Sequence, residues 1–309
     1  MGALLYVITY ASLFVFLVAI AVRFRRIQKY PLHLRWEIYP VPHEGARAKH
    51  GGSRLEEIDW WTKEHRPSLL AELKFMLPEM IFLKALFEHN RKLWYRSFPF
   101  HFGLYLLAGF AGLLVLGVIV EWTGTTVGLS AGGFGALVAW ATVIVGLSGL
   151  VLGILGALGL LVLRLTDADL KPYTNVSHVF NLVFILLALA LMLVAWSTAD
   201  REFLYLRGYV ASLLTFNLSA PAGGSTLSAA VLLLSLLLAY IPLTHMSHFF
   251  VKWFTWHKIR WDDEPNVRGG RIEVLIQKAL QSRVSWSADH IHADGKKNWA
   301  DIATEEIKE

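Results

Sequence analysis

The chain contains no cysteine in 309 residues, and only 17% of its residues are charged. The first absence removes thiolate-ligated iron-sulfur clusters and disulfides, so a redox centre held by this chain must rest on histidine, methionine, a bound quinone or a flavin. The second falls well short of the roughly one quarter charged residues of a soluble domain. Also lacking are a serine, histidine and acid arrangement, a phosphate-cradling glycine loop and a metal-protease helix, so no motif of hydrolytic or nucleotide chemistry is present. No internal repeat is visible, and with it the inverted-repeat signature of many secondary transporters is missing.

What is abundant is apolar side chain, 55% of the residues, gathered into blocks that each suffice for a membrane crossing of about 20 residues. The blocks run from Ala3 to Val22, Phe98 to Val120, Gly132 to Leu163, His178 to Trp196 and Leu227 to Ser247. The first is followed by Arg23, Arg25, Arg26 and Lys29 without a small-residue cleavage site, and reads as a retained span. Glycines recurring from Gly132 to Gly159 make the third a helix expected to pack closely on its neighbours. The fold class expected is all-α, a polytopic membrane bundle of about five transmembrane helices with a cytoplasmic amphipathic segment and tail. Its parts are residues 1–22 as first span, 23–97 as cytoplasmic loop, 98–247 as four-helix core and 248–309 as partner-docking tail.

Positive charge sets the expected orientation, because cytoplasmic flanks retain Lys and Arg during insertion. Arg23, Arg25, Arg26, Lys29, Arg91, Lys92, Arg96, Arg164, Lys171, Lys252, Lys258 and Arg260 flank one side, against only Arg201 and Arg207 on the other. The amino terminus is therefore expected outside and the carboxyl terminus in the cytoplasm, in a cell inner membrane. The same placement explains the net charge of +5 by topology and argues against a nucleic-acid partner. Within the loop, Ser68 to Tyr95 reads as an interfacial helix interrupted by Pro78, resting on the bilayer or docking a partner. The tail from Val251 onward carries an amphipathic stretch, Ile272 to Leu280, and reads as a clamp on a soluble subunit. Asp262, Asp263 and Glu264 read as a solvated acidic turn or a contact for a basic patch on a partner.

Of twelve histidines, four lie in apolar surroundings at span ends: His101, His178, His245 and His248. By the topology all four sit near the cytoplasmic face. An imidazole at the lipid boundary needs a partner, and haem iron is one that takes its lone pair. His101 with His248 satisfies a bis-histidine haem between the second and fifth spans, with Arg96, Lys252 and Trp253 near enough in sequence to meet propionates or headgroups. His245 and His248, three residues apart, are expected on one helix face. His245 then serves a second haem with His178, hydrogen-bonds a propionate or quinone, or lies at the interface. His33, His43, His50, His65, His89, His257, His290 and His292 fall in polar segments, and the pair His290 and His292 reads as loop rather than metal site.

Two motifs carry a resemblance. The run beginning His101-Phe-Gly-Leu-Tyr and the run Pro242-Leu-Thr-His-Met-Ser-His248 resemble the membrane cytochrome b (gamma) subunit of respiratory nitrate reductases. The stretch from Phe249 to His257 and the motif Trp261-Asp-Asp-Glu-Pro-Asn266 look like its relatives in heterodisulfide-reductase-like menaquinol complexes of sulfate reducers. The resemblance implies five helices, haem b between the second and fifth spans with His101 and His248 as ligands to its iron, quinol chemistry in the membrane, and electron transfer with a cytoplasmic iron-sulfur subunit. The chain departs from the nitrate-reductase pattern at Ala111 and Ala230, where the second haem of that family has histidines. Alanine cannot ligate iron, so the outer haem is expected to be absent or rebuilt, with His178 and His245 as the replacement pair. The expected function is that of an electron-transfer subunit of a quinol-linked oxidoreductase complex. A haem-free membrane anchor is the alternative, and a transporter ranks last because charges within the spans are sparse.

Overall fold

Long apolar stretches in lipid must satisfy every backbone polar group internally, which leaves the helix as the form these blocks take. A computed structural model describes residues 2–30, 37, 41–45, 53–219, 223–287 and 291–306. Among the described residues the chain forms α1 (Gly2–Gln28), α2 (Leu69–Ile81), α3 (Lys84–His89), α4 (Arg91–Trp122), α5 (Gly133–Thr166), α6 (Val176–Thr198), α7 (Leu204–Leu214), α8 (Ser225–Tyr240), α9 (His248–Phe254), α10 (Arg271–Leu280) and α11 (Trp299–Thr304), and no strand. Five of these, α1, α4, α5, α6 and α8 with the turn that extends it to Leu243, are long and apolar enough to cross a bilayer. The architecture is therefore an all-α, multi-pass membrane bundle.

The chain divides into two compact units, one of Met1–Ala19 with Met76–His245 and one of Ile20–Phe75 with Met246–Glu309. The loop after the first span thus shares a unit with the tail.

In the first unit, α4 and α5 run antiparallel with their backbones in contact. A Cβ placed on Gly103 would lie 2.4 Å from the Gly153 nitrogen, and one on Gly156 would lie 2.3 Å from the Phe100 nitrogen. Farther along, Gly149 meets Leu107 and Gly146 meets the Phe110 ring, so one helix's numbering rises as the other's falls. Close approach of this kind supplies van der Waals attraction where lipid offers no hydrophobic drive between helices. Hydroxyls tie α1 into the bundle: Thr9 Oγ1 lies 2.7 Å from the Tyr209 hydroxyl and 2.9 Å from Ser235 Oγ, and the Tyr6 and Tyr209 rings stack at 4.5 Å.

Two features differ from the sequence reading. The segment read as a plain loop between the fourth and fifth spans contains α7, started by Asp200, whose carboxylate accepts from the Tyr205 and Leu206 amides. This helix buries Arg207, whose Nε donates to Glu121 at 2.9 Å and whose Nη2 donates to the Val127 carbonyl at 2.6 Å. The helix predicted over Ser68 to Tyr95 breaks at Leu83, which adopts φ 52, and not at Pro78, which α2 absorbs. The break is sustained because other side chains satisfy its backbone: the Glu79 carboxylate accepts from Ala85 N, the Tyr105 hydroxyl donates to Met80 O, and Trp94 Nε1 donates to Phe82 O.

The second unit has an aromatic and ionic interior. Trp261, 1% exposed, contacts the rings of Phe75, Trp256, His43 and His257, and its Nε1 donates to Glu37, which also pairs with Arg260. Asp262 is 5% exposed, so the expected solvated acidic turn is instead packed inside this unit.

Candidate functional site

His101 lies ten residues into α4, on a turn packed against α5 through Gly103. Its Nδ1 stands 2.8 Å from the Ser97 backbone carbonyl. Ser97 Oγ stands 3.3 Å from the same nitrogen. Metal-ligating histidines are commonly held this way, with one nitrogen donating to a carbonyl or carboxylate while the other faces the metal. The His101 tautomer protonated at Nδ1 fits that support.

His248 is the first residue of α9. The fifth span ends earlier than expected: α8 stops at Tyr240, Pro242 lies in a 3-10 turn over Ile241–Leu243, and His245 opens a second 3-10 turn through Ser247. Proline lacks the N–H that would extend the α-helix. His245 thus opens a 3-10 turn that runs directly into α9 at His248.

His178 and His245 do come together, with ring centroids 5.1 Å apart and planes at 90°. His178 sits in the first turn of α6 as part of a capping box, its Nδ1 accepting from the Asn175 amide at 3.4 Å. That assignment puts its proton on Nε2. The Tyr240 hydroxyl donates to Asn181 Oδ1 at 2.8 Å, which orients the amide so that its Nδ2 donates to His245 Nε2 at 3.3 Å. Tyr240 and Asn181 are members of this cluster that the sequence reading missed.

The two cations expected to meet propionates have contacts within the protein. Arg96 lays its aliphatic stem over Gly159 and donates to the Lys92 carbonyl, while the Lys252 ammonium sits 5.9 Å above the Trp256 ring. At the same end of α4, Lys92 pairs with Asp167 just beyond α5, and the hydrogen bond from Lys92 holds that carboxyl below the usual carboxylate range.

Of the histidines read as lying in polar segments, His33, His50 and His290 are outside the described residues. His257 is held by the Trp253 carbonyl at Nδ1 and by Glu72 at Nε2, stacked on Trp253. His43 and His65 meet at Asp263, a convergence across more than 200 positions that no spacing pattern reveals. No family model matches the chain, and neither a curated protein nor a solved structure matches it.

Proposed function

We propose that this chain is a membrane cytochrome b subunit, exchanging electrons between a quinol/quinone pool, menaquinone in type, and a cytoplasmic iron-sulfur partner subunit through one haem b. His101 and His248 are its axial ligands. The observation that carries the reading is the placement of His101: a histidine near the start of a membrane helix, its Nδ1 2.8 Å from the Ser97 carbonyl, has the kind of support that orients a ligating imidazole. The motif around His248 supports the second ligand through its resemblance to the membrane subunits named above. Haem, when bound, supplies a one-electron relay whose potential follows axial ligation and burial. The chain's own residues then orient the ligand ring, exclude water through the glycine-packed α4 and α5, and anchor the assembly in lipid. On the same reading the membrane is the cell inner membrane, with the amino terminus outside and the carboxyl terminus cytoplasmic. The cluster of His178, His245, Asn181 and Tyr240 provides donors and acceptors of the kind that recognise a quinone carbonyl or hydroxyl.

The reading is tested on the purified chain by reduced-minus-oxidised spectroscopy and extraction of haem. A haem b spectrum is expected that His101→Ala and His248→Ala each abolish. Spectra unchanged in both variants, or a wild-type chain without stoichiometric haem, would overturn it, the latter in favour of a haem-free anchor subunit.

A further inference from the structure

In the second unit, three side chains from separate stretches of the sequence converge. His43 Nε2 lies 3.1 Å from Asp263 Oδ2, and His65 Nε2 lies 3.2 Å from the same oxygen. The ligating atoms of all three fall within 4.8 Å of one another. His43 meets Asp263 in hydrogen-bond geometry. His65 does not: its Nε2 is buried and has no hydrogen-bond partner, although the carboxylate oxygen is in range. A buried ring nitrogen left in this way loses the solvation of a polar group without replacement. The two nitrogen-to-oxygen separations match another arrangement, because donor atoms around a tetrahedral ion with bonds of about 2.0 to 2.2 Å stand roughly 3.3 Å apart.

We propose that His43, His65 and Asp263 bind one divalent first-row transition ion, with zinc the occupant that two imidazoles and one carboxylate favour. Water completes the fourth position. The surroundings hold the ligands in place. Glu44 accepts from the Val41 amide, from Ser53 Oγ and from the Arg54 amide, and the His43 carbonyl accepts from Ser68 N at 2.8 Å, so the turn carrying His43 is fixed on both sides. Trp261 lies against the His43 ring at 5.8 Å. The Arg54 guanidinium is the opposing charge nearby, and it is occupied by the Trp60 and Lys63 carbonyls. A neutral His43 ligates through Nε2 as the tautomer that carries its proton on Nδ1. The ion joins three segments into one clasp, and the inference is independent of the haem reading because the two sites share no residue.

The test uses the full chain in detergent with Zn2+ and Co2+ as probes. One Zn2+ per chain is expected to survive desalting, to be stripped by chelator and to be restored on addition. Asp263→Asn and His65→Ala should each weaken retention at least tenfold, whereas His292→Ala should not. His65→Cys gives a readout that does not depend on loss: in a chain without any other thiol, Co2+ loading should produce a sulfur-to-cobalt charge-transfer band absent from the wild type. A wild-type chain that retains no stoichiometric Zn2+, or a folded His65→Cys variant lacking that band, overturns the proposal.

Discussion

In the unit of Met1–Ala19 and Met76–His245, helices approach backbone to backbone, as at Gly103 against Gly153. In the unit of Ile20–Phe75 and Met246–Glu309, the tight approaches join ions and rings: Arg260 with Glu37, His257 with Glu72, His43 with Asp263, all around Trp261. The difference follows from the solvent each sequence is built for. An apolar helix gains nothing by hiding apolar surface from lipid, so it associates through small residues and a few hydroxyls. A short polar segment has too little apolar surface for a core of its own and relies on paired charges arranged about a few large aromatics.

Three substitutions and one control sharpen or break this contrast. The largest effect is expected from Gly103→Ala, whose new methyl meets backbone that cannot move aside; overpacking should cost about 3 kcal/mol in thermal or denaturant unfolding in micelles. Gly112→Ala on the same helix meets nothing within 4 Å and should leave the transition where it is. Equal effects from both would mean that close helix approach is not what holds the first unit. Next is Glu72→Gln, which removes the charged partner of His257 and should destabilise by about 1 to 2 kcal/mol. Proteolysis should then begin in residues 53–75 or in the tail while the spans stay protected, and a cut first within the spans would contradict the division. The smallest is Asp167→Asn. The carboxyl of Asp167 titrates below its ordinary range in the folded chain, chiefly through Lys92, so its contribution is present above the ordinary carboxylate pKa of about 4 and is lost as pH falls through the lower folded value. The variant should flatten the acid limb of stability below about pH 4 without moving the neutral plateau, and an unaltered acid limb would remove Lys92 and Asp167 from the account.

The spans were legible because lipid demands runs that composition alone displays; the expected Phe98 to Val120 lies inside α4, and the expected Gly132 to Leu163 starts at the N-cap of α5 and ends inside it. The helix α7 was not. Its eleven residues include Arg207 and Gly208, and only the distant Glu121 and Val127 make burying that arginine tolerable. A nearer signal was available in Asp200, a residue type that commonly starts helices. Pro78 misled because a proline's cost depends on whether the carbonyls it leaves are served elsewhere, and here the break was decided by Tyr105, Trp94 and Glu79 around Leu83. At the site, the positions of His101 and His178 on their helices could be read from order along the chain. Their proton assignments could not, since those depend on which carbonyl or amide the fold brings to each ring. The meeting of His43, His65 and Asp263 was hidden for the same reason.

The lengths of α4 and α5 carry a further consequence. With 32 and 34 residues, they extend about 48 and 51 Å at 1.5 Å per residue, against a hydrocarbon layer of about 30 Å. Even with generous tilt, more than one turn must stand clear of the lipid. On the proposed reading His101, only ten residues from the start of α4, then belongs to the shallow part of that mast, and a haem held there would have most of the insulating layer on one side.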